Sequence, residues 1–267
     1  MISALAGAEP ATVARLFVAM LSIQVSIGAL NDLVDVKLDS RQKPGKPIPG
    51  GLVSRRAGGV VAAVGAGAGL VLSAVSGPAT GIAGVACLAL GYVYDLRLSR
   101  TALSWLPLSL ALPLLPIHAW LGAAGTVPAG LLTLVPAAVL GGAGLALANG
   151  LADVERDVNE GRRTIAVVLG PRRAWIAQTL ALAAAAALAF VLAPVVPEAG
   201  VGERGLALGL LRVAGVWLGT GAMAIGAVGL TSARAGMRER GWELEALGVA
   251  CLGIGWLAGT AAVAAGG

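Results

Sequence analysis

The sequence has 267 residues, of which 57% are hydrophobic and only 12% are charged, with a formal net charge of +5 at pH 7. Soluble globular domains carry about twice that charged fraction, so this composition and a mean hydropathy of +0.86 exclude a soluble globule and indicate an integral membrane protein. The basic residues lie mainly in loops on one side of the predicted membrane, so the positive charge reflects membrane orientation and predicts no nucleic-acid partner.

Hydrophobic runs of about twenty residues predict transmembrane helices, because the strands of an outer-membrane barrel are about half as long and alternate in polarity. We therefore predict an all-α, polytopic membrane helical bundle that forms a single domain over residues 1–267. Small residues favour close packing between such helices, as in the Gly65-x3-Gly69 pair. The eight predicted spans are 10–31, 57–76, 79–95, 102–122, 128–152, 172–193, 206–230 and 243–265.

The connections between these spans alternate between basic loops and loops that are nearly free of Lys and Arg. By the positive-inside rule, the basic side faces the cytoplasm. We therefore expect a protein of the cell inner membrane with both chain ends outside and the polar motifs described next on the cytoplasmic side.

A polar segment follows the first predicted span. It contains Asn31, Asp32, Asp35 and Asp39, at the end of an apolar run that otherwise avoids charge. The spacing Asn-x3-Asp-x3-Asp predicts that these side chains project from one face of a helix, because positions four residues apart drift only slowly around the axis.

A second segment repeats the same spacing after the fifth predicted span. Asn149, Asp153 and Asp157 again form Asn-x3-Asp-x3-Asp, on the same predicted side of the membrane. A single motif of this kind is equally typical of a solvated loop end, but the duplication, with the leading Asn in both copies, favours a site. Glu155 and Glu160 lie outside the repeated spacing and are expected to contribute much less.

Two such faces turned toward each other would bring at least four carboxylates together, which requires a cation. Mg²⁺ suits this arrangement, because it binds oxygen ligands and is commonly held by a few carboxylates together with the phosphates of a substrate. The sequence therefore predicts a diphosphate site whose polar shell is completed by Asn31, Asp32 and Asn149. The predicted catalytic residues and direct or water-mediated Mg²⁺ ligands are Asp35, Asp39, Asp153 and Asp157.

Three further stretches, together with the two Asp motifs, carry a resemblance to a known family. The stretch 46–51 reads Lys-Pro-Ile-Pro-Gly-Gly, the stretch 161–170 reads Gly-Arg-Arg-Thr-Ile-Ala-Val-Val-Leu-Gly, and the stretch 94–100 reads Tyr-Asp-Leu-Arg-Leu-Ser-Arg. They are similar to Arg-Pro-Ile-Pro-Ser-Gly, Gly-Lys-Arg-Thr-Leu-Ala-Val-x-Leu-Gly and Tyr-x3-Leu-Lys of the UbiA-type superfamily of intramembrane prenyltransferases. In the last stretch, Ser99 stands where that family has Lys.

The resemblance implies a bundle of usually nine helices around a central cavity, although the interval before Asn31 leaves room for one leading helix instead of two. It also implies Mg²⁺-dependent transfer of an isoprenyl group from a prenyl diphosphate to a lipophilic acceptor, often an aromatic ring, in quinone or related lipid biosynthesis. The implied partners are the prenyl diphosphate, the acceptor and membrane lipid. Further substrate-binding residues implied by the resemblance are Lys46, Tyr94, Arg97, Arg100, Arg162 and Arg163.

Two alternatives to this activity remain open at the level of sequence. A terpene cyclase of the same superfamily would fold the prenyl cation back on itself and would need no acceptor. An ion-coupled membrane transporter would also use paired Asp residues, although transporters usually place these charges near the bilayer midplane between two related halves of the chain.

Overall fold

The computed structural model describes residues 2–42, 45–192 and 203–266, and the regular secondary structure of these ranges is entirely helical. A π-helical turn, Tyr94–Leu98, follows directly on α5. The α-helices are α1 (Ile2–Leu5), α2 (Pro10–Val34), α3 (Val36–Gln42), α4 (Arg55–Val75), α5 (Pro78–Val93), α6 (Leu106–Ala124), α7 (Ala129–Thr133), α8 (Val135–Ala152), α9 (Val154–Asn159), α10 (Ile165–Leu169), α11 (Pro171–Val191), α12 (Glu203–Gly229) and α13 (Ala235–Gly266).

Seven helical segments among the described residues are long and apolar enough to cross a membrane. They are Pro10–Val34, Arg55–Val75, Pro78–Leu98, Leu106–Ala124, Ala129–Ala152, Pro171–Val191 and Leu206–Gly229.

These seven segments correspond to the first seven predicted spans, so the prediction of an all-α, polytopic membrane bundle is confirmed. Residue 193, at the end of the sixth predicted span, lies outside the described residues. The eighth predicted span, 243–265, falls within α13, which is not one of the seven. The side chains of residues 260–266 lie outside the described residues, so the eighth span stays a prediction.

Local sequence signals set where several of these helices begin. The Ser54 hydroxyl accepts a hydrogen bond from the backbone N–H of Ala57 at 3.1 Å and so caps α4. Proline occupies the first position of α2, α5 and α11, where its missing N–H costs no helical hydrogen bond. Gly170 precedes α11 with φ of +78°, a conformation that a residue with a side chain rarely adopts.

The chain forms two compact units. The first unit comprises Ser3–Ser99 and Leu114–Thr126, and the second comprises mainly Arg100–Pro113 and Val127–Gly267. The first Asp motif therefore belongs to the first unit and the second Asp motif to the second unit. The organisation of residues 1–267 as a single domain stays a prediction.

In the first unit, α2 and α4 pack closely through small residues. A Cβ atom added to Gly65 would lie 2.8 Å from the carbonyl oxygen of Ser22, and one added to Gly69 would lie 3.0 Å from that of Ala19. Real Cβ atoms almost never lie closer than 3.0 Å to another heavy atom, and both distances are at or below that limit. Only glycine therefore fits at these two positions. The predicted role of the Gly65-x3-Gly69 pair is confirmed.

In the second unit, glycines on α12 and α13 face one another along the two helices. A Cβ atom added to Gly219 would lie 2.6 Å from the carbonyl oxygen of Gly248, and one added to Gly248 would lie 2.6 Å from that of Gly219. The two backbones are therefore in direct contact, and we call this series of contacts the glycine seam. Its facing pairs are Gly215 with Gly255, Gly219 with Gly248, and Gly226 with Gly241.

Candidate active site

The first Asp motif runs across a break between two helices. Helix α2 ends at Val34, Asp35 adopts φ of −93° and ψ of 6°, and α3 begins at Val36. Hydrogen bonds nevertheless connect residues four apart, because the Asp35 N–H donates to the Asn31 carbonyl at 3.0 Å and the Asp39 N–H donates to the Asp35 carbonyl at 2.8 Å. The predicted spacing therefore survives, although the single helix assumed for it is replaced by two.

The second Asp motif has the same backbone arrangement. Helix α8 ends at Ala152, Asp153 adopts φ of −103° and ψ of 4°, and α9 then begins. The Asp153 N–H donates to the Asn149 carbonyl at 3.2 Å, and the Asp157 N–H donates to the Asp153 carbonyl at 2.9 Å. The two copies thus share a helix break at the middle Asp as well as a spacing, which a pair of unrelated loop ends has no reason to share.

Lys46 connects two carboxylates of the first motif. Its Nζ lies 2.8 Å from Asp32 Oδ1 and 2.7 Å from Asp39 Oδ2. Burial acts to lower the pKa of Lys46, but the hydrogen bonds to Asp32 and Asp39 and their negative charges outweigh it, so the pKa is raised. An ammonium group has three donors, so one N–H remains after these two ion pairs for an anion such as a phosphate.

Asp95 is also in contact with the first motif. Its Oδ1 accepts a hydrogen bond from Asn31 Nδ2 at 3.0 Å, and the residue is only 4% exposed. Its Oδ2 is buried without a hydrogen-bond partner. The contact joins the π-helical turn Tyr94–Leu98 to the last turn of α2.

In the second motif, Arg156 and Asp153 form an ion pair within one helical turn. Asp157 is buried, and its Oδ2 accepts a hydrogen bond from the Thr164 hydroxyl at 3.0 Å. Arg162 Nε lies 3.8 Å from Asp157 Oδ1 and 2.7 Å from Glu160 Oε2.

Burial raises the pKa of Asp157, and the hydrogen bond from Thr164 and the charge of Arg162 offset this only in part. The Gly161 turn makes these contacts possible, because its φ of +67° lets the Arg162 N–H donate to the Asp157 carbonyl at 2.9 Å.

The remaining predicted residues take different positions. The Arg163 N–H donates to the Arg100 carbonyl at 3.1 Å, so these two basic residues are adjacent in the second unit. Tyr94 is half-buried and its carbonyl accepts the Ser99 N–H at 2.8 Å, which closes the π-helical turn. Arg97 is exposed and forms no ion pair with any described carboxylate.

No group of three or more His, Cys, Asp or Glu residues within 2–42, 45–192 and 203–266 lies close enough together to hold a metal ion. Three predicted ligands are paired with cationic side chains, Asp39 with Lys46, Asp153 with Arg156 and Asp157 with Arg162. The described residues therefore supply oxygen ligands and neutralising cations, but not a complete protein cage of the kind that structural metal sites have.

Comparison with known proteins identifies the family. A model of the UbiA prenyltransferase family matches residues 1–234. The chain belongs to this family. Its enzymes are prenyltransferases, so this chain is a transferase, and its seven candidate spans make it an integral membrane protein. No curated protein sequence gives a significant match.

Solved structures of UbiA homologues share the fold. A homologue from Aeropyrum pernix K1 in its apo form is 20% identical, with a TM-score of 0.70, over 99% of this chain and 94% of that one. A homologue from Archaeoglobus fulgidus bound to GPP and Mg²⁺ is 17% identical, with a TM-score of 0.65, over 97% and 90%. A digeranylgeranylglyceryl phosphate synthase is 16% identical, with a TM-score of 0.67, over 98% and 91%.

Two contacts of this UbiA-family protein were not predicted from its sequence. The first is Asp95 with Asn31. The sequence did mark Asp95 as a candidate for a polar contact, because it is the one aspartate outside the two motifs and it lies at the end of an otherwise apolar span. The second is Arg238, whose Nη2 lies 3.1 Å from Glu155 Oε2 and whose Nη1 donates to the Ser232 carbonyl at 3.0 Å.

Arg238 had no such signal, because it lies in the first turn of α13, beyond the family match, and its partner Glu155 is distant in sequence. Glu155 and Glu160 also have ion-pair partners, Arg238 and Arg162. They are therefore unsuitable as uninvolved reference positions when the motif carboxylates are tested.

Proposed function

We propose that this chain catalyses the Mg²⁺-dependent transfer of an isoprenyl group from a prenyl diphosphate to a lipophilic, aromatic acceptor that becomes a quinone or related lipid. The observation that carries the proposal is the repeated helix break at Asp35 and Asp153, each with an Asn one turn before it and a second Asp one turn after it. The Archaeoglobus homologue bound to GPP and Mg²⁺ supports the nature of the donor substrate.

The residues present fit Mg²⁺ by their chemistry. All the proposed ligands, Asp35, Asp39, Asp153 and Asp157, offer carboxylate oxygens, which Mg²⁺ prefers. The buried and unpaired Oδ2 of Asp95 lies in the same unit as Asp35 and Asp39 and is a further oxygen without a donor. The incomplete protein cage also fits, because Mg²⁺ keeps several waters and shares its ligands with substrate phosphates.

When bound, Mg²⁺ would act as a Lewis acid that neutralises negative charge on the diphosphate. The protein's own cations serve the same leaving group. Lys46 has a raised pKa and therefore stays charged, and one of its N–H groups is available for a phosphate oxygen. Arg162 and Arg163, which follow the second Asp motif in sequence, are the proposed guanidinium donors to the diphosphate. Asn31, Asp32 and Asn149 complete the polar shell, with Tyr94, Arg97 and Arg100 as further proposed contacts to the substrate.

The proposed reaction breaks the bond between the allylic carbon and the diphosphate oxygen, and both bonding electrons leave with the diphosphate. The allylic cation then forms a carbon–carbon bond with the electron-rich acceptor ring, which afterwards releases a proton. Apolar helices that cross the membrane suit the prenyl tail and exclude water that would quench the cation. We also propose that the motifs face the cytoplasm and that the membrane is the cell inner membrane.

The test is prenyl transfer by the purified chain in lipid nanodiscs, with Mg²⁺, labelled prenyl diphosphates of several lengths and a panel of aromatic acceptors. Asp35→Asn and Asp153→Asn keep side-chain size and remove one charge each. We expect each to lower turnover at least about a hundredfold, the usual effect of losing one well-placed electrostatic group, while the thermal midpoint stays near that of the wild type.

The matched control is Glu239→Gln, because Glu239 is an exposed carboxylate outside both motifs, and we expect normal turnover. Near-normal activity of both Asp variants would refute the proposed role of the motifs. A cyclic or rearranged prenyl product formed in the absence of any acceptor would identify a terpene cyclase instead.

A further inference from the structure

Asp95 is placed by an unusual backbone feature. The α-helical hydrogen-bond pattern of α5 gives way to the π-helical turn Tyr94–Leu98, in which the Ser99 N–H donates to the Tyr94 carbonyl at 2.8 Å. Such turns are rare and occur frequently at functional sites. Here the turn carries the only aspartate outside the Asp motifs, and it brings that aspartate to Asn31.

The contact fixes which part of the Asn31 amide is free. An ionised carboxylate only accepts hydrogen bonds, so Asp95 Oδ1 selects the NH₂ group of Asn31, at 3.0 Å, and rejects its oxygen. Among the residues that the structure describes, no donor reaches the Asn31 amide oxygen. The amide is therefore held in the orientation that leaves an oxygen for a hard cation or for a water molecule of its shell.

A purely structural role does not account for Asp95. The residue is 4% exposed, yet Oδ2 has no hydrogen-bond partner among the described residues. A buried and half-paired carboxylate destabilises a fold in comparison with an apolar or amide side chain. The carboxylate of Asp35 also acts on Asp95 electrostatically, which adds a like charge to an already unfavourable position.

We propose that Asp95 is a positioning residue that orients the Asn31 amide so that its oxygen contributes to the binding of the metal–diphosphate. The inference rests on the proposed function. It predicts that Asp95 acts through Asn31, because outer groups that orient a ligand typically change metal affinity about 10- to 100-fold when they are removed.

The test measures binding without turnover. Mn²⁺, which accepts the same oxygen ligands as Mg²⁺, is titrated with inorganic diphosphate into the full chain in nanodiscs and followed by electron paramagnetic resonance. We expect Asp95→Asn to weaken Mn²⁺ binding about 10- to 100-fold, because an amide at position 95 no longer distinguishes the two ends of the Asn31 amide. The exposed control Glu239→Gln should bind as the wild type does.

A double-mutant cycle separates positioning from direct ligation. If Asp95 acts through Asn31, then Asn31→Ala combined with Asp95→Asn binds no more weakly than Asn31→Ala alone. Wild-type affinity in Asp95→Asn, or losses that multiply in the double variant, would overturn the inference. If Asp95→Asn fails to fold, Asp95→Ser takes its place in the same cycle.

The two proposals fail in different ways. A wild-type chain that binds Mn²⁺ and diphosphate but transfers no prenyl group would contradict the proposed function, while the binding cycle would still decide the role of Asp95. A wild-type chain that binds neither Mn²⁺ nor diphosphate would contradict both.

Discussion

The glycine seam between α12 and α13 allows a stability prediction in which one helix supplies both the test and its control. Gly219 and Gly221 lie two positions apart on α12. A Cβ atom on Gly219 would lie 2.6 Å from the Gly248 carbonyl oxygen and 2.9 Å from the Leu252 backbone nitrogen, whereas one on Gly221 would meet no atom within 4 Å. The same substitution to Ala should therefore have opposite effects at the two positions.

The magnitude follows from what must move. At Gly219 the colliding atoms belong to the backbone, so no rotamer change relieves the overlap and the two helices must separate. Overpacking of this kind costs about 1–3 kcal/mol, and the separation also weakens dispersion contacts at the neighbouring glycine pairs. At Gly221 the added methyl group fills open space, and replacing Gly by Ala within a helix gains about 0.5–1 kcal/mol.

The assay is thermal unfolding of the two variants in the same detergent or nanodisc. The free energies of unfolding should differ by about 1.5–4 kcal/mol, which is the sum of the two effects. By the size scaling of soluble domains, that difference moves the thermal midpoint by about 5 °C or more. Equal midpoints for Gly219→Ala and Gly221→Ala would refute the direct backbone contact from which the prediction is made.

Two further predictions concern the second motif's support and the membrane orientation. Arg238→Met should lower the free energy of unfolding by about 2 kcal/mol, because the buried guanidinium that contacts the Ser232 carbonyl and Glu155 is lost. The control Arg240→Met, at an exposed position, should change the free energy of unfolding little. Equal effects of the two variants in denaturation would contradict the stabilising role of Arg238. In a cysteine-free background, a cysteine at exposed Ser40 should react with an impermeant reagent only from the cytoplasmic side, and the opposite labelling pattern would reverse the proposed orientation.

The sequence determined the helical architecture because a membrane imposes a strict pattern on it. Backbone polar groups find no partners in lipid, so apolar runs of about twenty residues must be helical. This is why seven predicted spans coincide with observed helices to within a few residues. The family also followed from sequence, because its motifs depend on short spacings such as Asn31 to Asp39 that local chain geometry preserves.

The contacts of the motif carboxylates were decided by tertiary structure. Nothing in the local sequence indicates that Lys46 bridges Asp32 and Asp39, since the direction of the intervening chain depends on how the helices pack. The contact between Asp95 and Asn31 joins residues 64 positions apart and depends on the π-helical turn Tyr94–Leu98. The position of that turn could not be predicted from the sequence.

The close packing of the helices was likewise predictable from sequence in part and decided by the tertiary structure in part. The Gly65-x3-Gly69 pair was recognisable, because two small residues one turn apart mark a helix face. Among so many glycines, however, composition does not distinguish Gly219 from Gly221. Only the relative rotation of α12 and α13 turns the first toward a neighbouring backbone and leaves the second in open space, because that rotation is set by the packing of both helices at once.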